Sequence, residues 1–345
     1  KKTIVIRSWI TKGTLNKDGV FTDRNFGLLP EWLKSKDYEV IILPMFFNLD
    51  KTIKDMRSLI LSQNIHFIIQ ERYLKLIDYI NCIHLGFKQI NISLKNITLN
   101  TLDLSLLFRE IQLQQGFGTL HTSLFYPLLK RLKNLDYEID RFYYAFENNA
   151  NEKPFILGCK EYFPDTDVIG YQHTAWHKNQ LGSFLGVDEA KYHPIADKII
   201  CSGPIYLDVL KNAGFPEEKL VAGPNLRFAY IHEDRSTFKK NVKSPNILLL
   251  LTYDNDLAYD LIHKVKIISK YFPNLYLYIR RHPLLIYEDL DQFLDEINMA
   301  NYQFADEGII QDWLVNTDIV LSSGTSIAMI EIVAMGVPMI RIEPD

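Results

Sequence analysis

The stretch Thr317-Asp318-Ile319-Val320-Leu321-Ser322-Ser323-Gly324-Thr325-Ser326 sets a short apolar run directly before a hydroxyl-rich turn that opens a helical pattern. Unpaired backbone N–H groups at such a helix start favour an anion, and the Ser322, Ser323, Thr325 and Ser326 hydroxyls add donors. Gly324 carries no Cβ to hold a phosphate off the backbone. The alternative is that these hydroxyls only cap the helix. Glu331, on the same helical pattern, can accept from ribose hydroxyls or lie solvated on the helix face. Upstream, Tyr278-Ile279-Arg280-Arg281-His282-Pro283 ends another apolar run in basic groups. Pro283 keeps His282 extended. Arg281 and His282 can there donate to a phosphate leaving group.

The first half carries a second constellation. Phe142-Tyr143-Tyr144-Ala145-Phe146 ends in Glu147-Asn148-Asn149, and Val168-Ile169-Gly170-Tyr171 ends in Gln172-His173-Thr174-Ala175-Trp176-His177. Together they supply a carboxylate, imidazoles, amides and aromatic faces, the groups that sugar recognition and acid/base work require. Glu147 and His173 are the catalytic candidates. Asn148, Gln172, Trp176 and His177 are the acceptor- and sugar-binding candidates. The plainer alternatives are a capping or ion-paired acid for Glu147 and a hydrogen-bonded core histidine for His173. Burial beside aromatic rings is expected to raise the Glu147 carboxyl toward neutrality.

Two acid-x-acid triplets, Asp165-Thr166-Asp167 and Asp254-Asn255-Asp256, resemble metal-binding pairs. Phosphate neutralisation already has Arg, His and a helix start, so no metal or other cofactor is expected to be required. GxGxxG, P-loop, GxSxG and HExxH patterns do not occur, against dehydrogenase, kinase, α/β-hydrolase and metalloprotease chemistry.

These residues need a scaffold of strands whose carboxyl ends converge. The chain has 345 residues, enough for about two domains at roughly 150 residues each. Short β-branched runs alternate with amphipathic stretches, the pattern of βα units around parallel sheets. The first series has strands at Thr3–Arg7, Tyr38–Leu43, His66–Ile69, Arg141–Phe146, Asp167–Tyr171, Lys198–Cys201 and Leu220–Ala222. The second begins at Asn246 and continues through strands near Leu275–Ile279, Tyr302–Phe304, Asp318–Leu321 and Pro338–Ile342. The polar stretch 233–245 separates them. We therefore expect an α/β protein of two Rossmann-like domains facing a cleft: residues 1–232, a linker 233–245, and residues 246–345. Ligands should sit at the carboxyl ends of the strands.

Charge and sequence ends narrow the partners. Lysine and arginine number 38 against 42 acids, a net charge of −4, so no cationic excess is available to neutralise a nucleic acid backbone. Cys82, Cys159 and Cys201 form no CxxC pair, which fits a reducing cytoplasmic setting without structural zinc. No run of about 18 apolar residues is present to span a bilayer. The run Leu124–Leu129 before Lys130-Arg131-Leu132-Lys133 is the candidate for an interfacial helix; the alternative is a packed helix with a basic end. The chain opens on Lys1-Lys2 and stops just after an expected strand, so it reads as part of a longer polypeptide with a truncated second domain.

The layout resembles the GT-B glycosyltransferases. Among these, His282-Pro283 with Ser322-Ser323 is similar to the bacterial sialyltransferases, polysialyltransferases and capsule-type Kdo transferases, which use CMP-sugars. Teichoic-acid-type CDP-glycerol transferases carry a comparable pair, so the motif speaks for a cytidine nucleotide before any particular sugar. UDP-sugar GT-B enzymes place a glutamate like Glu331 on this helix. The pattern Phe142–Asn148, Gly170-Tyr171-Gln172-His173, Cys201-Ser202-Gly203-Pro204 and Ala222-Gly223-Pro224-Asn225-Leu226-Arg227 also resembles bacterial surface-carbohydrate biosynthesis proteins. It departs at His173-Thr174, where His-Gly is expected. The acid-acid-Gly match Asp306-Glu307-Gly308 follows the His-Pro instead of preceding it, so no catalytic role is carried over; a helix N-cap or a part of the nucleotide pocket is expected there.

The resemblance implies transfer of a nonulosonic acid (sialic or pseudaminic) or Kdo-like sugar from its CMP donor to a glycan or lipid-linked glycan acceptor, as in capsule and surface-polysaccharide biosynthesis. The first domain would take the acceptor and the second the donor, with Arg281, His282, Ser322, Ser323, Gly324, Thr325, Ser326 and Glu331 on its phosphate and nucleotide. An inverting transfer requires a base, Glu147 or His173; a retaining one does not. The implied location is cytoplasmic, at the inner membrane face through peripheral association. The alternatives are a CDP-alcohol phosphotransferase, a UDP-sugar transferase, and a non-catalytic glycan-assembly protein of the same fold.

Overall fold

The computed structural model describes the chain except residues 12–13, 15–19, 47–51, 62–63, 91–96, 100, 175, 177–183, 187, 233–244, 283–286, 288, 298, 300, 324–327 and 343–345. The expected linker 233–245 thus lies, but for Pro245, outside the described residues, as do His177, Gly324, Thr325 and Ser326. Two compact units are present, Lys1–Arg227 and Phe228–Asp345.

The first unit is built on β1 (Thr3–Ile10), β2 (Glu39–Phe46), β3 (His66–Phe67), a small antiparallel hairpin of β4 (Thr98–Leu99) and β5 (Leu102–Asp103), β6 (Ile139–Phe146), β7 (Asp167–Gln172), β8 (Lys198–Ser202) and β9 (Leu220–Gly223). Without the hairpin these form one seven-stranded sheet in the order β3-β2-β1-β6-β7-β8-β9. Every pairing within it is parallel. Helices α1 (Leu29–Ser35), α2 (Thr52–Ile60), α3 (Leu76–Ile90), α4 (Ser105–Ser123), α5 (Phe125–Lys133), α6 (Glu152–Tyr162) and α7 (Pro204–Asn212) complete it. The central strands are buried on both faces, which is why they read as continuous apolar runs rather than alternating ones. One face carries a core with Val5, Phe142, Tyr144, Phe146 and Phe155, the other a core with Ile4, Ile6, Ala145 and Tyr171.

The second unit holds β10 (Asn246–Leu250), β11 (Tyr276–Arg280), β12 (Tyr302–Phe304), β13 (Ile319–Ser322) and β14 (Met339–Arg341), in the order β12-β11-β10-β13-β14, all parallel. Its helices are α8 (Asn255–Ser269), α9 (Leu290–Glu296), α10 (Ile310–Leu314) and α11 (Ala328–Ala334). Both units are therefore Rossmann-like, as the alternating pattern predicts.

Three differences from the sequence reading are physical. The first strand runs on to Ile10 because Arg7 and Ser8, though polar, are buried and bonded inside the unit. The Leu124–Leu129 run is no interfacial helix: Phe125, Leu128, Leu129 and Leu132 of α5 are at most 1% exposed and belong to the core. Exposed apolar side chains gather on α3 and α4 instead, among them Leu76, Ile80, Ile83, Phe87, Leu106 and Leu107. Last, Asp254 of the second acidic triplet is the N-cap of α8 and accepts the Leu257 N–H at 3.1 Å.

Candidate functional site

In the first unit, β6 and β7 run side by side with Phe146 opposite Gln172, so the next residues, Glu147 and His173, leave the same carboxyl edge together. His173 Nε2 lies 3.4 Å from Glu147 Oε1. Asn149 donates its amide to Glu147 Oε2 at 2.7 Å. Burial raises the Glu147 carboxyl above its ordinary value, opposed by the Asn149 hydrogen bond and by the positive charges of Arg227 and Arg7. Burial drives His173 the other way, down to about 3, with the Arg227 charge adding to the effect. At neutral pH His173 is thus an uncharged imidazole, and its approach to Glu147 is a polar contact, not an ion pair.

The amides and rings around this pair divide into two groups. Asn148 sits in the left-handed region at φ 60°, where asparagine is tolerated. Its side-chain oxygen accepts from Lys153 at 2.5 Å and contacts His193 Nε2 at 3.1 Å. Gln172, expected to meet the acceptor, is 1% exposed. Its amide nitrogen donates to the Thr174 carbonyl and its oxygen accepts the Ser202 N–H at 2.8 Å, so it ties β7 to β8. Trp176, expected to offer a ring to a sugar, is instead packed in the core, stacked on Phe146 with centroids 5.4 Å apart and tilted against Phe215.

In the second unit β10 lies between β11 and β13, with Leu250 opposite both Arg280 and Ser322. The segments after the three strands therefore share one edge. His282 donates its N–H to the Tyr287 hydroxyl at 3.1 Å, and that hydroxyl donates to the Thr252 carbonyl at 2.5 Å. The half-buried His282 ring meets Tyr253 edge-on at 5.4 Å, and burial lowers its pKa. Arg281 lies over the Phe304 ring and is bonded through its backbone N–H and its guanidinium to Asp306. Asp306 thus orients Arg281 and caps no helix. Ser322 and Ser323 are each 1% exposed. Ser322 Oγ donates toward the Leu250 carbonyl at 3.4 Å, and Ser323 Oγ donates to the Leu257 carbonyl at 3.1 Å. Both hydroxyls are turned into the unit, stitching the end of β13 to β10 and α8. Glu331, in the first turn of α11, accepts from Gln311 at 3.0 Å.

No protein-family model matches the sequence, and no curated protein matches it. Solved structures do match, at low identity. The S. aureus MnaA–UDP co-structure is 11% identical, covers 98% of this chain and 79% of its own, and superposes with a TM-score of 0.54. The kitacinnamycin glycotransferase is 12% identical over 100% and 81%, TM-score 0.53. The UDP-GlcNAc 2-epimerase from Neisseria meningitidis, bound to UDP-GlcNAc, is 11% identical over 93% and 77%, TM-score 0.50. The fold is GT-B. At these identities the likeness is one of fold, and chemistry has to come from the residues.

Four further groups, none of them marked by a motif, act on the Glu147–His173 edge or on the turn beside it. Arg227 follows β9 and acts electrostatically on both residues. Arg7, from the middle of β1, donates to the Asn151 carbonyl and side chain at 3.0 and 3.1 Å beneath the turn. Asn149 grips Glu147, and Glu152 is wholly buried behind it. The usable signals were an arginine inside an apolar strand run and a dense Glu-Asn-Asn-Ala-Asn-Glu string after an aromatic one.

Proposed function

We propose that this protein is a metal-independent glycosyltransferase that moves a nonulosonic acid or Kdo-like sugar from a CMP donor to a bacterial surface-glycan acceptor. The observation that carries the transferase reading is Glu147, a carboxyl raised by burial at the end of β6 with neutral His173 beside it. A base poised above the ordinary carboxyl range is suited to take a proton from an acceptor hydroxyl near neutral pH.

In this reading the bond between the anomeric carbon and the phosphate oxygen breaks, and its electron pair leaves with CMP. The acceptor oxygen attacks the same carbon and its proton passes to Glu147. Arg281, His282 and the segment 322–326 stabilise the departing phosphate, with Ser322 and Ser323 bracing the end of β13 from within and Glu331 toward the ribose. Asn148 orients the acceptor; Gln172 and Trp176 act from behind, by fixing the β7 end. The support for cytidine is the His282-Pro283 and Ser322-Ser323 pair. The exposed apolar face of α3 and α4 supports peripheral contact with the membrane that carries a lipid-linked acceptor.

A second reading, a UDP-sugar enzyme, is favoured by the UDP and UDP-GlcNAc in two of the similar structures. The deciding experiment is turnover of CMP-N-acetylneuraminic acid by wild type and Glu147→Gln, with UDP-N-acetylglucosamine as the competing donor. Loss of CMP release in the variant, with CMP binding kept, supports the proposal. Turnover of the UDP donor alone replaces it with the second reading.

A further inference from the structure

The turn that carries Glu147 is held from beneath by a residue of the following helix. After Phe146 the chain passes through Glu147, the left-handed Asn148 and Asn149, and enters α6 at Glu152. Glu152 is 1% exposed. Its carboxylate turns back on the loop: Oε1 accepts the Glu147 N–H at 2.8 Å and the Asn149 N–H at 3.1 Å. The two N–H groups flank Asn148, so a single oxygen closes over the one residue with positive φ. Asn149 in turn grips the Glu147 carboxylate. One oxygen therefore fixes both the main chain of Glu147 and the main chain of the residue that aims its side chain.

A carboxylate in this position is costly to bury, and packing alone would be better served by an apolar side chain. The groups facing it are Lys153 on α6, Arg7 on β1 and Tyr144 on β6. Arg7 lies over the Phe125 and Phe155 rings, at 4.5 and 5.2 Å from their centroids, and anchors Asn151, the residue just before Glu152. Glu152 Oε2 has no hydrogen-bond partner among the described residues. Both hydrogen bonds seen on this side chain go to the turn that carries Glu147.

We propose that Glu152 is a positioning residue, whose carboxylate accepts the main-chain N–H groups of Glu147 and Asn149 and so fixes the turn that presents the Glu147 carboxyl. The inference deepens the reading of Glu147 as the proton-accepting group and rests on it.

The geometry requires reach more than charge, and two variants separate these. Glu152→Gln keeps the length and a carbonyl oxygen; Glu152→Asp keeps the charge and is one methylene short. The measurements, on the whole chain without ligand, are hydrogen exchange at the Glu147 and Asn149 amides and an NMR titration of the Glu147 carboxyl. Glu152→Gln should leave both amides protected and the Glu147 midpoint in place. Glu152→Asp should speed exchange at both amides about tenfold, the loss of one hydrogen bond. It should also return the Glu147 midpoint toward the ordinary carboxyl range as water enters. Equal behaviour of the two variants, failure of both to fold included, overturns the proposal, as does unchanged exchange in Glu152→Asp. Turnover of Glu147→Gln is measured alongside. A fully active Glu147→Gln sinks the functional reading and the role of the clamp with it. An inactive Glu147→Gln beside unchanged exchange in Glu152→Asp sinks the clamp alone.

Discussion

At Glu147 burial outweighs the Asn149 hydrogen bond and the charges of Arg227 and Arg7, and the carboxyl stays above its ordinary value. Glu147→Gln keeps the shape and removes the proposed proton acceptor, so on that reading turnover should fall about 10²- to 10⁴-fold with donor affinity unchanged. The wild-type rate should decline as pH falls through the raised Glu147 value, and this limb should be absent from the residual rate of the variant. His173 and Glu152 give stability opposite pH trends. The folded His173 value, about 3, lies below 6.5, so the unfolded chain binds the proton more readily and stability is lost as pH falls below 6.5. The Glu152 value, about 7 against 4.5, is raised, so the stability it contributes at low pH is lost between pH 4.5 and 7, on the order of 3 kcal/mol in all. In urea titrations the change in stability from pH 5 to pH 7 should therefore be more favourable for Glu152→Gln than for wild type, because the His173 gain is common to both and the Glu152 loss is confined to wild type.

At the scale of elements, the edge that holds Glu147 and His173 depends on how closely β6 and β7 approach. Gly170 on β7 lies opposite Tyr144 on β6. A Cβ there would come within 3.0 Å of the Tyr144 hydroxyl and 3.2 Å of the Phe146 Cβ. Tyr144 is fully buried among Phe142, Phe146 and Phe155 and has little room to yield. Gly170→Ala should therefore cost about 1–3 kcal/mol in a denaturant titration and reduce turnover beyond the loss of folded protein, because β7 must shift with His173 at its end. In the second unit the corresponding brace is Ser323 to the Leu257 carbonyl. Ser323→Ala leaves that carbonyl without this donor, and a drop in melting temperature together with weaker nucleotide binding is the expected pair of effects.

Over the whole molecule, nucleotide identity is the sharpest test of the donor proposal. A ligand that binds the folded state alone stabilises it by about 2.7 kcal/mol at a hundredfold excess over its Kd. CMP should raise the melting temperature more than UDP or GDP, and a larger shift with UDP would favour the second reading. No helix among the described residues is long and apolar enough to cross a membrane. Among the described side chains of α3 and α4, Leu76 and Leu106, at 76% and 80% exposure, are the most open apolar ones. Serine at Leu76, Ile80 and Leu106 should abolish co-sedimentation with anionic vesicles, while neutralising Lys130 and Lys133 on the packed α5 should leave it intact.

The sequence carries the two α/β series, most of the strand positions and the residues that end them in readable form, because a strand buried on both faces leaves an unbroken apolar run and a polar stop. It thereby found Glu147 and His173 on adjacent strand ends, and His282 with Ser322 and Ser323 on another edge. What each side chain touches there follows from long-range contacts, since burial and partners come from residues distant in the chain. Trp176 and Gln172 look like ligand-facing groups until Phe215 and Ser202 are brought against them. Arg7 lies 144 residues from Asn151, which it anchors, and nothing local in either segment encodes that contact. Glu152 reads as an ordinary first-turn acid, and only the closure of β6 onto α6 turns its carboxylate back to the Glu147 main chain.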